Sequence, residues 1–329
     1  MAKQLIMVHG RDFKPKEAFL KRNWIDAIKS GIVRDFGDEY GTKFDDINKH
    51  MAYYGNLSNK FLYAKGKKHD ETKDNIDRKK ALKALKAYQK KDFLKAIGKK
   101  NYQQLPGRNF LYEALADTAG ELVEFLRLGK PLVSAVAPDM AEYWNDETAF
   151  SSNVRWKLTK LLAKALRKDD DVLLIAHSLG SLVAYDVLWT LSHYSEYQDI
   201  WDKKLFSFIS IGSPLWDETS KRNLKGAHIK GKRRYPTNMG RWINLAAEDD
   251  YVSHDEKIAN DYKEMEDFGL LSKPIEDKQI YNLAVRGGRS NPHHGVGYLI
   301  HPYMSKIVAN WINQSWVTTI NVKVSIWDG

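Results

Sequence analysis

The stretch DVLLIAHSLGSLVAYDVL, Asp171 to Leu188, sets an apolar run against a small-x-Ser-x-Gly turn and then continues in a helical pattern. Val172 to Ile175 read as a buried strand, and Leu182, Tyr185 and Leu188 or Trp189 recur at the spacing of one helix face. Ala176 and Gly180 put small residues two positions before and two after Ser178, which lets strand and helix approach without a Cβ clash. A helix starting here also turns its free N–H groups and positive dipole end toward Ser178. Two readings follow. Ser178 is a nucleophile on a strand-to-helix elbow, or it is an N-cap, since serine is among the favoured caps.

Outward from this unit, short apolar or β-branched runs bounded by turn residues predict strands at 4–10, 50–55, 171–176, 205–212, 241–247 and 279–285. Apolar spacing of three and four predicts helices at 17–31, 111–128, 153–166, 179–191 and 304–312. Strands separated by helices imply an α/β protein: a mostly parallel sheet of about six strands flanked by helices.

The 329 residues are read as a single domain spanning 1–329. No run approaches the eighteen or so apolar residues needed to span a bilayer. MAKQLIMVHG is too short for a signal-peptide core and reads as a first strand, so a cytoplasmic location is expected. The absence of cysteine removes disulfides, thiolate metal sites and cysteine nucleophiles together, which leaves an oxygen or a lysine as any nucleophile.

The formal charge of +10 is concentrated in two places. Residues 65–100 carry a net +9 and residues 221–234, KRNLKGAHIKGKRR, a net +7, so the remaining chain is mildly acidic. Overall basicity therefore does not by itself imply nucleic acid. Within the first segment Leu82, Leu85 and Tyr88 share one helix face and lysines cover the others. It reads either as a surface helix packed by a narrow apolar stripe, or as a cap whose basic face meets an anionic substrate or a membrane surface.

With AHSLGS at the turn, the chain resembles the α/β-hydrolase fold family, and within it the lipases and esterases, whose elbow is commonly Gly-His-Ser-x-Gly. Ala176 stands where that pattern has its first glycine and still meets the small-residue requirement. MVHG after the first strand, YYGN after the second, SIGSPL, the acidic turn EDDYV and NPHHGVGYLIHP extend the resemblance over most of the chain. Residues 57–110 match nothing in it and would be a helical, lysine-rich insertion or cap.

The resemblance implies the chain order Ser, acid, His. The acid would lie in EDDYV, where the family's habit of placing it shortly before a returning Val or Ile favours Asp250, with Asp249 as alternate and Asp217 of SPLWD behind them. The base would follow Pro292, as His293 or alternatively His294; His254 is too near the acid and His301 already precedes the last helix. An oxyanion hole would take the Leu179 N–H and one from HGRD, that of Arg11, with Gly10 permitting the approach and His9 bracing the loop.

These expectations add up to a serine esterase or lipase-like hydrolase that works through an acyl-enzyme without a cofactor. Its substrate would be a small-molecule ester or lipid, with an anionic group in view if 221–234 borders the site, and the basic insertion offers peripheral membrane contact. The rival is a non-catalytic scaffold that binds a ligand or partner. A metal site from the histidine pair with His254 and Asp255 lacks ligand spacing. Substrate identity, acyl length and oligomeric state stay open.

Overall fold

The computed structural model describes residues 1–107, 137–253 and 257–314. Six strands, β1 (Lys3–Val8), β2 (Asn48–Ala52), β3 (Asp171–His177), β4 (Ser207–Ile211), β5 (Trp242–Ala247) and β6 (Glu276–Ile280), form one sheet. Their order is β2-β1-β3-β4-β5-β6, and every neighbouring pair is parallel. Strands β3 to β5 are buried almost throughout, as strands covered on both faces must be.

Alternation along the strands feeds two cores. Val8, Val172, Leu174, Phe208 and Trp242 join the core shared with the helices Ala149–Arg167 and Leu179–His193. Leu5, Met7, Leu173, Ile175 and Ile209 join the one shared with Glu17–Phe36 and Pro302–Asn313. The expected helix 111–128 lies outside the described residues. Among those described, no helix is long and apolar enough to cross a membrane.

The chain runs from β1 outward to β2 and then returns to place β3 on the other side of β1. Strand order therefore reverses between β1 and β3. In open α/β sheets the crevice beyond the carboxyl ends at such a point is where ligands bind.

Three differences from the sequence reading have physical causes. The first helix continues past Gly31 to Phe36, because that glycine marks a close crossing: a Cβ there would lie 2.6 Å from Ser305 Oγ and 2.8 Å from the Ile300 carbonyl oxygen. The last strand is Glu276–Ile280, upstream of the apolar run at 279–285. It is an edge strand paired on one side, so its own residues are mostly polar, while the buried Leu283 and Ala284 belong to the loop that leaves the sheet. A short antiparallel hairpin, β7 (Val285–Arg286) and β8 (Arg289–Ser290), was not anticipated. Gly287 and Gly288 both take positive φ, 59° and 80°, as a tight two-residue hairpin turn requires.

The described part of the insertion is helical: Gly55–Ala64, Glu71–Lys86 and Lys95–Gln103. Leu82 and Leu85 are buried and Tyr88 is half-buried, so the stripe does pack on the body. Helix Glu71–Lys86 lies against Glu17–Phe36, the short helix Gly295–Leu299 and β7.

Candidate active site

The elbow is built by backbone. Ser178 has φ 56° and ψ −131°, a conformation that costs a non-glycine residue on the order of 1–3 kcal/mol unless its surroundings enforce it. They do so through Ser178 N–H donating to the Ile211 carbonyl at 3.1 Å, and through Ser181 N–H and Oγ donating to the Ser178 carbonyl at 2.8 and 2.6 Å. Ser178 occupies the N-cap position of Leu179–His193, yet its hydroxyl makes no capping bond. Its Oγ lies 3.0 Å from His293 Nε2 instead.

Register places Val8 beside Ala176, and Gly10 therefore arrives next to Ser178. A Cβ on Gly10 would come 2.6 Å from the Ser178 Cβ, so only glycine fits. Gly180 approaches β1 so closely that a Cβ would strike the His9 carbonyl oxygen.

His293 bridges serine and acid. Its Nδ1 lies 2.9 and 3.0 Å from the two carboxylate oxygens of Asp250, and a carboxylate can only accept. Nδ1 therefore carries the proton, which leaves Nε2 bare to accept the Ser178 hydroxyl. Asp250 is 2% exposed. Burial alone would raise its pKa, but the His293 charge and hydrogen bond, together with the Tyr298 hydroxyl, hold it below the ordinary value. Tyr298 Oη donates to Asp250 Oδ2 at 2.5 Å and accepts the Ala247 N–H at 3.0 Å, while Val252 N–H donates to Asp250 Oδ1 at 3.1 Å.

The alternates go elsewhere. Asp249 has φ 58° and accepts the Tyr102 hydroxyl at 2.9 Å. Asp217 caps Glu218–Arg222 by accepting Ser220 N–H at 2.7 Å. His301 caps the last helix, accepting the Tyr303 N–H at 3.2 Å. His294 lies 5% exposed beside His293, and neither of its ring nitrogens has a hydrogen-bond partner.

The loop after β1 is fixed from both sides. His9 is fully buried, and burial first, with Lys14 adding to it, lowers its pKa to about 3. The neutral ring has one tautomer that fits: Nδ1–H donates to the Gly10 carbonyl at 2.9 Å while Nε2 accepts the Tyr54 N–H at 3.1 Å. Buried Asp139 takes the Asp12 N–H at 2.6 Å and Arg11 Nε at 3.2 Å. Leu179, as the first helical residue, has no carbonyl one turn back to receive its N–H. Gly10, Arg11 and Leu179 thus flank Ser178 from the two turns expected to donate.

A cavity of about 490 Å³ opens over these residues, within the range of small-molecule sites. Gly10, Arg11, Ser178, Asp249, Asp250 and His293 contribute to its wall. No residue of 221–234 does, contrary to the expectation that this segment borders the site. It runs instead along Leu179–His193, held by Lys225 N–H to Asp186 at 2.7 Å and by Trp189 Nε1 to the Arg233 carbonyl at 3.0 Å, away from the end that carries Ser178.

Sequence reasoning missed several supports. His177 Nε2 lies 2.9 Å from the His293 carbonyl, which can only accept, and thereby fixes the loop that carries His293. Burial, with His293 adding to it, pushes the His177 pKa far down, so this neighbour does not compete for the proton. Asn282 Nδ2 holds the Pro292 and His294 carbonyls at 2.7 and 3.1 Å. Tyr298 was visible only as one residue of NPHHGVGYLIHP, and Asp139 had no signal at all. Among the described residues no cluster of three or more His, Asp or Glu could hold a metal, and His254 and Asp255 lie outside them. No family model, curated protein or solved structure matches the chain.

Proposed function

We propose that the chain is a serine hydrolase of the α/β-hydrolase fold that cleaves carboxylic esters through an acyl-enzyme. One observation carries the reading: His293 joins Asp250 at 2.9 Å to Ser178 Oγ at 3.0 Å, on a serine strained into φ 56°. A capping serine needs none of this. Strand order supports it too, since nucleophile, acid and base leave β3, β5 and the segment after β6 at one edge of the sheet.

In the first step Ser178 Oγ attacks the ester carbonyl carbon and its proton passes to His293 Nε2. Asp250 stabilises the resulting imidazolium, and this reading assigns the Leu179 and Arg11 N–H groups as donors to the developing oxyanion. The C–O bond to the alcohol then breaks as His293 returns the proton to the leaving oxygen. Water repeats the sequence on the acyl-Ser178 ester and releases the acid.

Hydrolysis of 4-nitrophenyl butyrate tests the reading. Wild type should turn over, and Ser178→Ala should lose on the order of a thousandfold or more. Equal rates in wild type and Ser178→Ala would contradict it. The binding-module alternative predicts no turnover, and the intact Ser178–His293–Asp250 connection speaks against it.

A further inference from the structure

The cavity has a second polar wall that the proposed chemistry leaves unused. Arg78 from the insertion and Arg286 and Ser290 from the β7–β8 hairpin line it together with His294. Arg78 is 7% exposed and donates through Nε to Asp74 at 2.9 Å. Arg286 donates through a terminal nitrogen to the other oxygen of the same carboxylate. Two guanidinium groups therefore share one acid. His294 and Ser290 are 5% and 2% exposed, and both imidazole nitrogens and the Ser290 Oγ lack hydrogen-bond partners. Buried polar atoms are nearly always paired in folded proteins, so three orphans on residues of one cavity wall leave that wall open to a partner from outside the chain.

Charge says what that partner is. Lys14, also on the cavity wall, is spent on the carbonyls of Arg11, Asp12 and Phe13, and Asp12 lies beside it to balance its charge. Arg78 and Arg286 against Asp74 leave one positive charge beside neutral donors. A monoanion balances that surplus, and guanidinium forks match the planar geometry of a carboxylate. A phosphate, at about −1.5 to −2 near neutral pH, overshoots it.

We propose that Arg78, Arg286, Ser290 and His294 form a carboxylate subsite, so that the substrate class is a compact ester bearing a free carboxylate, such as the half-ester of a dicarboxylic acid. The substrate assignment rests on the serine-hydrolase reading; the subsite itself does not.

Two arms on the full chain separate the claims. Calorimetric titration of Ser178→Ala protein with glutarate should show saturable binding, tighter than that of inorganic phosphate. Adding Arg286→Gln should weaken it about tenfold or more, with partial recovery in Arg286→Lys. No binding, equal binding by all three proteins, or tighter phosphate binding overturns the subsite whether or not the chain hydrolyses anything. Arg286 is partly exposed, and an unchanged melting temperature checks that the variants fold.

In the kinetic arm, wild type should favour 4-nitrophenyl hemiglutarate over neutral 4-nitrophenyl pentanoate by about tenfold in kcat/KM, and Arg286→Gln should bring the ratio toward one. A wild-type ratio of one or less overturns the substrate class. If neither ester is cleaved, the hydrolase reading and the substrate class fall together, and glutarate binding alone decides the subsite.

Discussion

The two walls of the cavity meet between His293 and His294, adjacent in the chain and opposite in circumstance. On the first wall the side chains that carry the proposed chemistry are engaged: His293 by Asp250 and Ser178, Asp250 by Tyr298 and Val252, Tyr298 by Ala247. On the second, the His294 imidazole and the Ser290 hydroxyl are buried without a hydrogen-bond partner. A satisfied network is rigid before substrate arrives, which is what charge stabilisation during a reaction requires. An unsatisfied one costs stability until a ligand fills it.

Substituting the first wall should do most damage to turnover. His293→Ala and Asp250→Asn should each lower kcat for 4-nitrophenyl butyrate on the order of 10⁴-fold. His294→Met should leave kcat far closer to wild type. Comparable losses from the two histidines would erase the distinction between the walls.

Stability should depend on pH through histidines on both walls and beneath them. Burial depresses His9 and His301 to about 3 and pushes His177 and His294 far below the ordinary value. A lowered histidine pKa means that the unfolded chain binds the proton more readily. The stabilisation is therefore complete above about pH 6.5 and is lost progressively as pH falls toward about 3. Asp250, held below its ordinary value, adds a further loss below about pH 3.9. Melting temperatures measured from pH 7.5 to 4 should fall steadily, and a flat profile would contradict the buried neutral histidines.

Removing one polar group from each wall should move stability in opposite directions. Tyr298→Phe leaves the Ala247 N–H without an acceptor and should cost about 1–3 kcal/mol in urea unfolding. His294→Met replaces an unpartnered imidazole by an apolar chain of similar size and should be neutral or stabilising by up to about 1 kcal/mol, as expected where function is kept at the expense of stability. The same sign for both would break the comparison. Smallest of all should be Asp249→Asn, because asparagine tolerates the positive φ and can still accept the Tyr102 hydroxyl: a change within about 0.5 kcal/mol.

The first wall was legible in sequence because local geometry writes it. Small residues around Ser178, the glycine of HG, an acid ahead of Val252 and a histidine after Pro292 are each a backbone requirement expressed within a few residues. The central strands were legible for the same reason, being continuously apolar. β6 was not, since an edge strand takes its order from pairing rather than from its own hydrophobicity. The second wall depends on Arg78 and Arg286 converging on Asp74 across 212 residues, and no local pattern encodes that. In the insertion, the lysine run that dominates composition is mostly solvated. The insertion residue that reaches the cavity is Arg78.

The most direct test is covalent. Wild-type protein treated with a fluorophosphonate should gain one phosphonyl adduct by intact mass, mapped by peptide sequencing to Ser178, and Ser178→Ala and His293→Ala should gain none at the same exposure. An unlabelled wild type, or a label that persists in Ser178→Ala, would contradict the assignment of Ser178 as the nucleophile.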